Sequence, residues 1–449
     1  MKYDIAIIGG GPAGYNAAER AAANGLKTIL FEMKELGGVC LNEGCIPTKT
    51  LLYSAKILNN INHASHYGIK GEFKPQPDIK QIIERKNKTV QTLTSGVAMK
   101  LKSMGITVVK GRAIVSGEKG DNLVVSCEGE EYHVNYLLLC MGSETIIPNI
   151  KGLSEVNYWT SKEALDITQL PQSITIIGGG VIGIEFASFF NSMGVKVVVI
   201  EMLPEILGVM DKETSAMLRK EYTKRGVDFR LNTKVVEVTS QEVIVEYKGK
   251  TEKIPTEQIL VSIGRKAVTQ QMGLESLNLK LNRGAVEVNE QMQTSHPQVY
   301  ACGDITGYSL LAHTAIREGE VAINHILGRK DKMNYNSVPS VVYTNPELAG
   351  VGKTENELLA DKTYFQVLKL PMAYSGRFVA ENDGGGGILK LLIDEERRII
   401  GCHALGNPAS ELIVIASMAI EKGLTVEEFQ KQIFPHPTVG EMFHEVLFS

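Results

Sequence analysis

The sequence predicts an α/β protein with two Rossmann-like dinucleotide-binding units and an α+β domain at its C-terminal end, on three observations. A strand, a glycine-rich turn and a small-residue helix occur twice, as YDIAIIGGGPAGYNAAERAAANGLKTILFE (3–32) and SITIIGGGVIGIEFASFFNSMGVKVVVIE (173–201). From the first motif glycine to the closing acid is 23 positions in each copy, Gly9 to Glu32 and Gly178 to Glu201. From about residue 334 the chain changes to proline-punctuated strands and then an apolar helix. At 449 residues it is also too long for one ordinary core, since domains usually run about 100 to 200 residues.

Each GxGxxG follows a strand, opens a helix and precedes an acid about 20 residues on, which is the context a dinucleotide fingerprint requires. Gly9 and Gly178 allow the tight turn. Gly11 and Gly180 let backbone approach a pyrophosphate at a helix N-terminus, and Gly14 and Gly183 permit close helix packing. Glu32 and Glu201 would accept hydrogen bonds from a ribose 2'-hydroxyl and repel a 2'-phosphate. Because Glu201-Met202-Leu203 offers no arginine for that phosphate, the second site should prefer NAD to NADP. Two ligand-free glycine turns would not require this matched spacing.

Between the copies, residues 51–102 read as helix, with Leu, Ile and Val three and four apart among Lys and Glu. Short strands follow, with a turn at Glu118-Lys119-Gly120-Asp121. After the second copy a charged helix (211–225) leads to strands ending at 259–261. The third domain opens with VPSVVYTNPELAGVG and continues through strands at 365–370 and 388–393 to an apolar helix at 409–423. GGGG at 384–387 reads as a hairpin turn.

Apolar residues make up 43%, charged residues 22%, and the net charge is -4, so neither disorder nor a nucleic-acid partner is expected. The apolar run at 412–420 is far below the roughly 18 residues of a membrane span, so no membrane partner is expected either. A strand pattern begins at Tyr3 with no leader ahead of it, and the expectation is a cytoplasmic, reducing setting. There, six scattered cysteines do not form a structural framework. Cys40 and Cys45 lie close together in GGVCLNEGCIPTK (37–49). A metal site would need a second Cys/His pair nearby, and the sequence offers none, so no metal is expected. A redox-active disulfide is the better reading: two thiols on one helical start, where the helix N-terminus favours thiolate, so that one sulfur attacks and the other resolves. The competing reading is two unrelated buried cysteines. Cys127, Cys140, Cys302 and Cys402 stand singly in apolar or glycine contexts and fit burial. Lys49, four residues after Cys45, would share its helical face. His436 stands between Pro435 and Pro437, with Glu441 five residues on to orient an imidazole, as a base for dithiol oxidation requires.

GGGPAGY with Glu32, GGVCLNEGCIPTK, LLLCMGSETIIP, GGGVIGIEFA, LVSIGR, VYACGDITG, LAHTAIREG, VPSVVYTNPELAGVG and HPTVGE occur in that order over nearly the whole chain. In this the sequence resembles the flavoprotein disulfide reductases, and among them the dihydrolipoamide dehydrogenase branch. The resemblance implies FAD on the first fingerprint and NAD on the second. It implies an FAD-binding domain at 1–143 continued at 264–333, an NAD-binding domain at 144–263, and a dimerisation domain at 334–449. Flavin contacts carry over to Glu32, Lys49, Ala113, Asp304 and Ala312. Gly38, Gly142, Gly303, Val181, Ile182, Val235, Gly264 and Arg265 join the fingerprint residues as cofactor-binding positions. Lys49 would pair with Glu185, and the His436–Glu441 dyad would serve the disulfide of the other subunit, which makes a homodimer obligatory.

The implied activity is NAD-linked oxidation of dihydrolipoyl groups on a separate carrier protein, in a 2-oxo acid dehydrogenase, acetoin or glycine cleavage complex. A glutathione- or mercuric-reductase-like enzyme is the alternative. Glu201 disfavours NADPH, and the last residues, Glu445 to Ser449, hold no further cysteine pair. A non-catalytic nucleotide-binding subunit would not require the thiol pair, the lysine and the dyad together. The chain departs from the branch in Phe434-Pro435 before HPT and in Glu43 between the cysteines.

Overall fold

A computed structural model describes residues 2–71, 74–382 and 386–449. The chain divides into two compact units, Met1–Thr50 with Glu84–Ile146 and Gly264–Met333, and Leu51–Ile83 with Ile147–Ile263 and Asn334–Ser449.

In the first unit the strands Thr107–Lys110, Thr28–Glu32, Lys2–Ile8 and Glu130–Leu139 lie side by side in parallel, and Val299–Ala301 joins the far edge of Glu130–Leu139. Glu130–Leu139 is long enough to pair twice: its first half closes an antiparallel ribbon with Asn122–Cys127 and Ile114–Lys119. The expected turn at 118–121 joins those last two strands. The central strands are apolar where they cross the middle of the sheet, as burial on both faces demands: Ile5, Ala6, Ile7, Ile29, Leu30, Leu137, Leu138 and Leu139 are fully inaccessible. Helices Pro12–Ala23 and Ala312–Ile326 pack together through small residues, with Gly319 against Ala13 and Ala17.

The second unit holds a five-stranded parallel sheet in the order Asp228–Arg230, Lys196–Ile200, Ser173–Ile177, Gln258–Val261, Tyr158–Trp159. A three-stranded meander, Lys234–Val238, Glu242–Tyr247 and Lys250–Pro255, accompanies it. The C-terminal part is a five-stranded antiparallel sheet in the order Ser340–Val342, Leu348–Gly352, Ile399–Leu405, Ile388–Ile393, Gln366–Pro371. Helix Ala409–Lys422 covers it and ends at Gly423 in the left-handed conformation.

Two expectations change. Residues 51–102 are two helices, Cys45–Asn62 and Ile79–Ser103, separated by a short turn at Ala64–Tyr67. Gly68 in the left-handed region ends that turn, and Pro75 and Pro77 keep the chain extended before the second helix starts. The helix expected at 211–225 is Lys212–Lys224, with Asp211 outside it as the cap. Gly384 and Gly385 of the expected GGGG turn lie outside the described residues. No described helix is long and apolar enough to cross a membrane.

Candidate active site

The two fingerprints repeat one another closely along the backbone. Gly9 has φ 105° and Gly178 φ 110°, and a Cβ would strike the carbonyl oxygen of Cys140 at 2.2 Å in the first and of Ser262 at 2.5 Å in the second. A Cβ on Gly14 or Gly183 would lie 1.8 or 2.1 Å from the preceding Gly9 or Gly178 oxygen, so the helix can start this close to the strand only without side chains. Gly11 and Gly180 differ in kind. Nothing lies within 4 Å of a Cβ on Gly180, and only the Gly38 Cα, at 3.8 Å, faces one on Gly11. Both glycines cap their helices with no side-chain hydrogen bond. Open space in front of uncapped helix N–H groups fits a pyrophosphate.

The closing acids are held alike. Glu32 accepts from Gly10 N (2.7 Å) and Lys34 N (2.7 Å), and Glu201 from Gly179 N (2.7 Å) and Leu203 N (2.9 Å). Each carboxylate is thereby fixed at the strand end with lone pairs left for a ribose. The donor sets therefore fit a dinucleotide in both units.

Cys40 and Cys45 sit on two helices rather than one. Gly38–Asn42 carries Cys40, and Cys45 opens Cys45–Asn62 after a break at Glu43 and Gly44. A Cβ on Gly44 would already lie 3.0 Å from the Val39 carbonyl oxygen, so the turn between the thiols is tight. No disulfide joins the described cysteines. Its neighbour Cys45, by hydrogen bonding, and then burial raise the Cys40 thiol far above the ordinary thiol range, while the Lys49 cation works the other way. Lys49 lies one turn beyond Cys45.

Arg265 and Asp304 stand in the same unit, joined through Ser143. Arg265 Nε donates to Ser143 Oγ (2.7 Å), its Nη2 to the Ser143 carbonyl (2.6 Å), and Ser143 Oγ donates to Asp304 Oδ2 (2.5 Å). Burial lowers the Arg265 pKa against the pull of Asp304, Glu43 and Cys45. Gly303, at φ 80°, donates its N–H to the buried Glu318 (2.5 Å), which sets the turn carrying Asp304. Sequence reasoning missed both partners; Ser143 was visible only as part of MGSETIIP, and Glu318 as one of two acids in its helix.

Gly142 (φ 70°) and Gly38 (φ 57°, the first residue of its short helix) have left-handed backbones that favour glycine, and Gly264 has φ 130°. Ala312 is the first residue of its helix. Ala113 and Val235 are buried in apolar cores, so their backbones are what a ligand could meet. Val181 and Ile182 open the helix after Gly180. Glu185, buried on that helix, accepts from Tyr343 N at 3.0 Å. In the second unit His436 Nδ1 lies 2.7 Å from Glu441 Oε1, and the His436 side chain is 82% exposed. The Thr438 amide and then His436 hold the Glu441 carboxyl below its usual range, so it is ionised as an orienting group should be. Burial raises Cys127, Cys140, Cys302 and Cys402, as inert core thiols require.

Residues 3–319 match the family described as pyridine nucleotide-disulphide oxidoreductase, and residues 338–447 match that family's dimerisation domain. The chain is 38% identical to a dihydrolipoyl dehydrogenase of Thermus scotoductus, over 98% of this chain and 95% of that one. It is 36% identical to one of Mycoplasma pneumoniae, over 99% and 98%. Among solved structures, LpdA from Mycobacterium tuberculosis superposes with a TM-score of 0.90 at 26% identity, over 99% of each chain. The HOCl-induced flavoprotein disulfide reductase of Escherichia coli, in its Cu(II) complex, does so with a TM-score of 0.87 at 29% identity, over 100% of this chain and 99% of that one. The chain belongs to the pyridine nucleotide-disulphide oxidoreductases, flavoprotein oxidoreductases that use FAD and NAD(H).

Proposed function

We propose that the chain works as a homodimeric, NAD-linked dihydrolipoyl dehydrogenase in the cytoplasm. It oxidises dihydrolipoyl groups on a lipoyl-carrying protein of a 2-oxo acid dehydrogenase, acetoin or glycine cleavage complex. The observation that carries this reading is the close pairing of Cys40 with Cys45, across the tight turn at Gly44 and one turn before Lys49. The first fingerprint, with Gly38, Lys49, Ala113, Gly142, Gly303, Asp304 and Ala312, would hold FAD. The second, with Val181, Ile182, Glu201 and Val235, would hold NAD. The corresponding domain limits are 1–143 and 264–333 for FAD, 144–263 for NAD, and 334–449 for dimerisation.

The chemistry of the protein's own groups runs as thiol exchange. His436, oriented by Glu441, takes a proton from one substrate thiol. The resulting thiolate attacks Cys40 of a Cys40–Cys45 disulfide, and Cys45 leaves as thiolate. The second substrate thiol then attacks the sulfur bonded to Cys40, Cys40 leaves and takes up that thiol's proton, and the oxidised lipoyl group departs. Bound FAD supplies the two-electron transfer from the Cys40–Cys45 dithiol to NAD+, and the net change is dihydrolipoyl plus NAD+ to lipoyl, NADH and a proton. Lys49 and the start of the Cys45–Asn62 helix favour the thiolate at Cys45.

The test compares NADH formation from dihydrolipoamide with NADPH-dependent reduction of glutathione disulfide. The proposal expects the first to dominate. Faster turnover in the second assay would assign the chain to another disulfide substrate.

A further inference from the structure

Lys390 is completely buried, yet it carries a charge that the proposed reaction does not use. Its Nζ donates to Asp211 Oδ2 (2.7 Å), Glu213 Oε2 (3.2 Å) and Glu355 Oε1 (2.5 Å). Lys390 lies on the strand Ile388–Ile393 of the C-terminal sheet, directly opposite His403. Asp211 and Glu213 belong to the start of the helix Lys212–Lys224, where Asp211 Oδ1 also accepts Thr214 N (3.0 Å). A buried ion cluster is weak evidence for stability, because apolar side chains of the same volume usually serve as well. Fixing one element against another is the better-attested use of such a cluster.

The element fixed here is the strap at 201–211, which runs from the closing acid of the second fingerprint to the cap of the helix. Leu207 N donates to Gly179 O (2.9 Å), so the strap closes on the glycine whose own N–H holds Glu201. Leu207 is buried and has φ 54°, a conformation costly for a branched side chain and kept only where the surroundings hold it. Two ties flank it. Arg219 grips Glu205 with two hydrogen bonds (2.7 and 2.9 Å), and Lys390 grips Asp211.

We infer that Lys390 is a positioning residue for the pyridine dinucleotide: by anchoring Asp211 it holds the strained strap, and through the strap the Gly179–Glu201 contact that receives the adenosine ribose. The inference rests on the reading of the second fingerprint as the NAD site.

The test uses the full-length, FAD-loaded protein. Lys390→Met should weaken NADH binding, read by calorimetric titration, about tenfold. The rate of flavin reduction by dihydrolipoamide should stay within about twofold of the parent, since that half-reaction does not depend on the strap. Asp211→Asn, which keeps the acceptor for Thr214 and weakens the tie to Lys390, should shift NADH affinity the same way by less, and it decides the matter if Lys390→Met does not fold. Unchanged NADH affinity in a folded variant, or equal loss in both half-reactions, overturns the inference. A parent protein that binds NADH but does not oxidise dihydrolipoamide would sink the substrate proposal and leave this one standing.

Discussion

The two copies of the strand-turn-helix motif agree in backbone and part company one step later. In each, the second glycine donates to the closing acid and accepts from the strap beyond it: Gly10 O receives Gly37 N (2.8 Å), and Gly179 O receives Leu207 N (2.9 Å). The first strap then runs into Gly38–Asn42 and delivers Cys40, while the second runs to Asp211 and a charged anchor. A duplicated binding plan thus gains chemistry in one copy and only recognition in the other. The difference lies in the segment beyond the acid, which the fingerprint does not encode.

That contrast can be broken most severely at the thiols. Cys45→Ser should lower dithiol-to-NAD turnover by at least about 1,000-fold while FAD stays bound and NADH affinity is unchanged, because only the first copy's chemistry is removed. Absorbance of retained flavin and NADH titration check it. Next, His436→Gln should slow reduction by dihydrolipoamide by about 100- to 10,000-fold, the usual cost of a positioned base. Stopped-flow reduction by NADH should be spared, and equal slowing of both directions would remove His436 from its role.

Gly180→Ala sharpens the comparison from the other side. The protein leaves room for this Cβ, so the fold should survive with its melting temperature nearly unchanged while NADH binds about 10- to 100-fold more weakly. Gly9→Ala, by contrast, drives a Cβ into the Cys140 carbonyl and should cost folding and flavin together.

The smallest effect is on stability against pH. Burial would raise Asp211, but His403, Lys390 and the Thr214 amide outweigh it and leave the carboxyl below its ordinary value. A depressed carboxylate contributes stability above its unfolded pKa, about 4, and loses it as pH falls through the lower folded value. His403, lowered by burial, adds a loss of the same sign that begins nearer pH 6.5, about its unfolded value. Thermal melts should therefore show the second unit weakening steadily on acidification, with a shallower slope in Lys390→Met.

Legibility in the sequence divides along the same line. Glycine spacing and a terminal acid are local, and they placed both fingerprints and their helices, as short apolar runs placed the strands at 365–370 and 388–393 within a residue or two of those observed. His436 and Glu441 were also readable, being five positions apart and now 2.7 Å in contact. The two-helix seating of the cysteines was hidden because residues 38–49 read as one helical start, and only the backbone break at Glu43 and Gly44 separates them. Lys390 and Asp211 are 179 positions apart, and Ser143 and Asp304 161, so no periodicity could join them. Long-range polar pairs arise from topology, which local patterns do not specify.

The central claim is that the Cys40–Cys45 dithiol relays electrons to the bound flavin. Anaerobic titration of the FAD-loaded protein with dihydrolipoamide tests it most directly. The account predicts a long-wavelength absorbance, from the Cys45 thiolate against oxidised flavin, that grows with the first equivalent of dithiol and is missing in Cys45→Ser. Direct bleaching of the flavin with no such band, or the same band in Cys45→Ser, would contradict it.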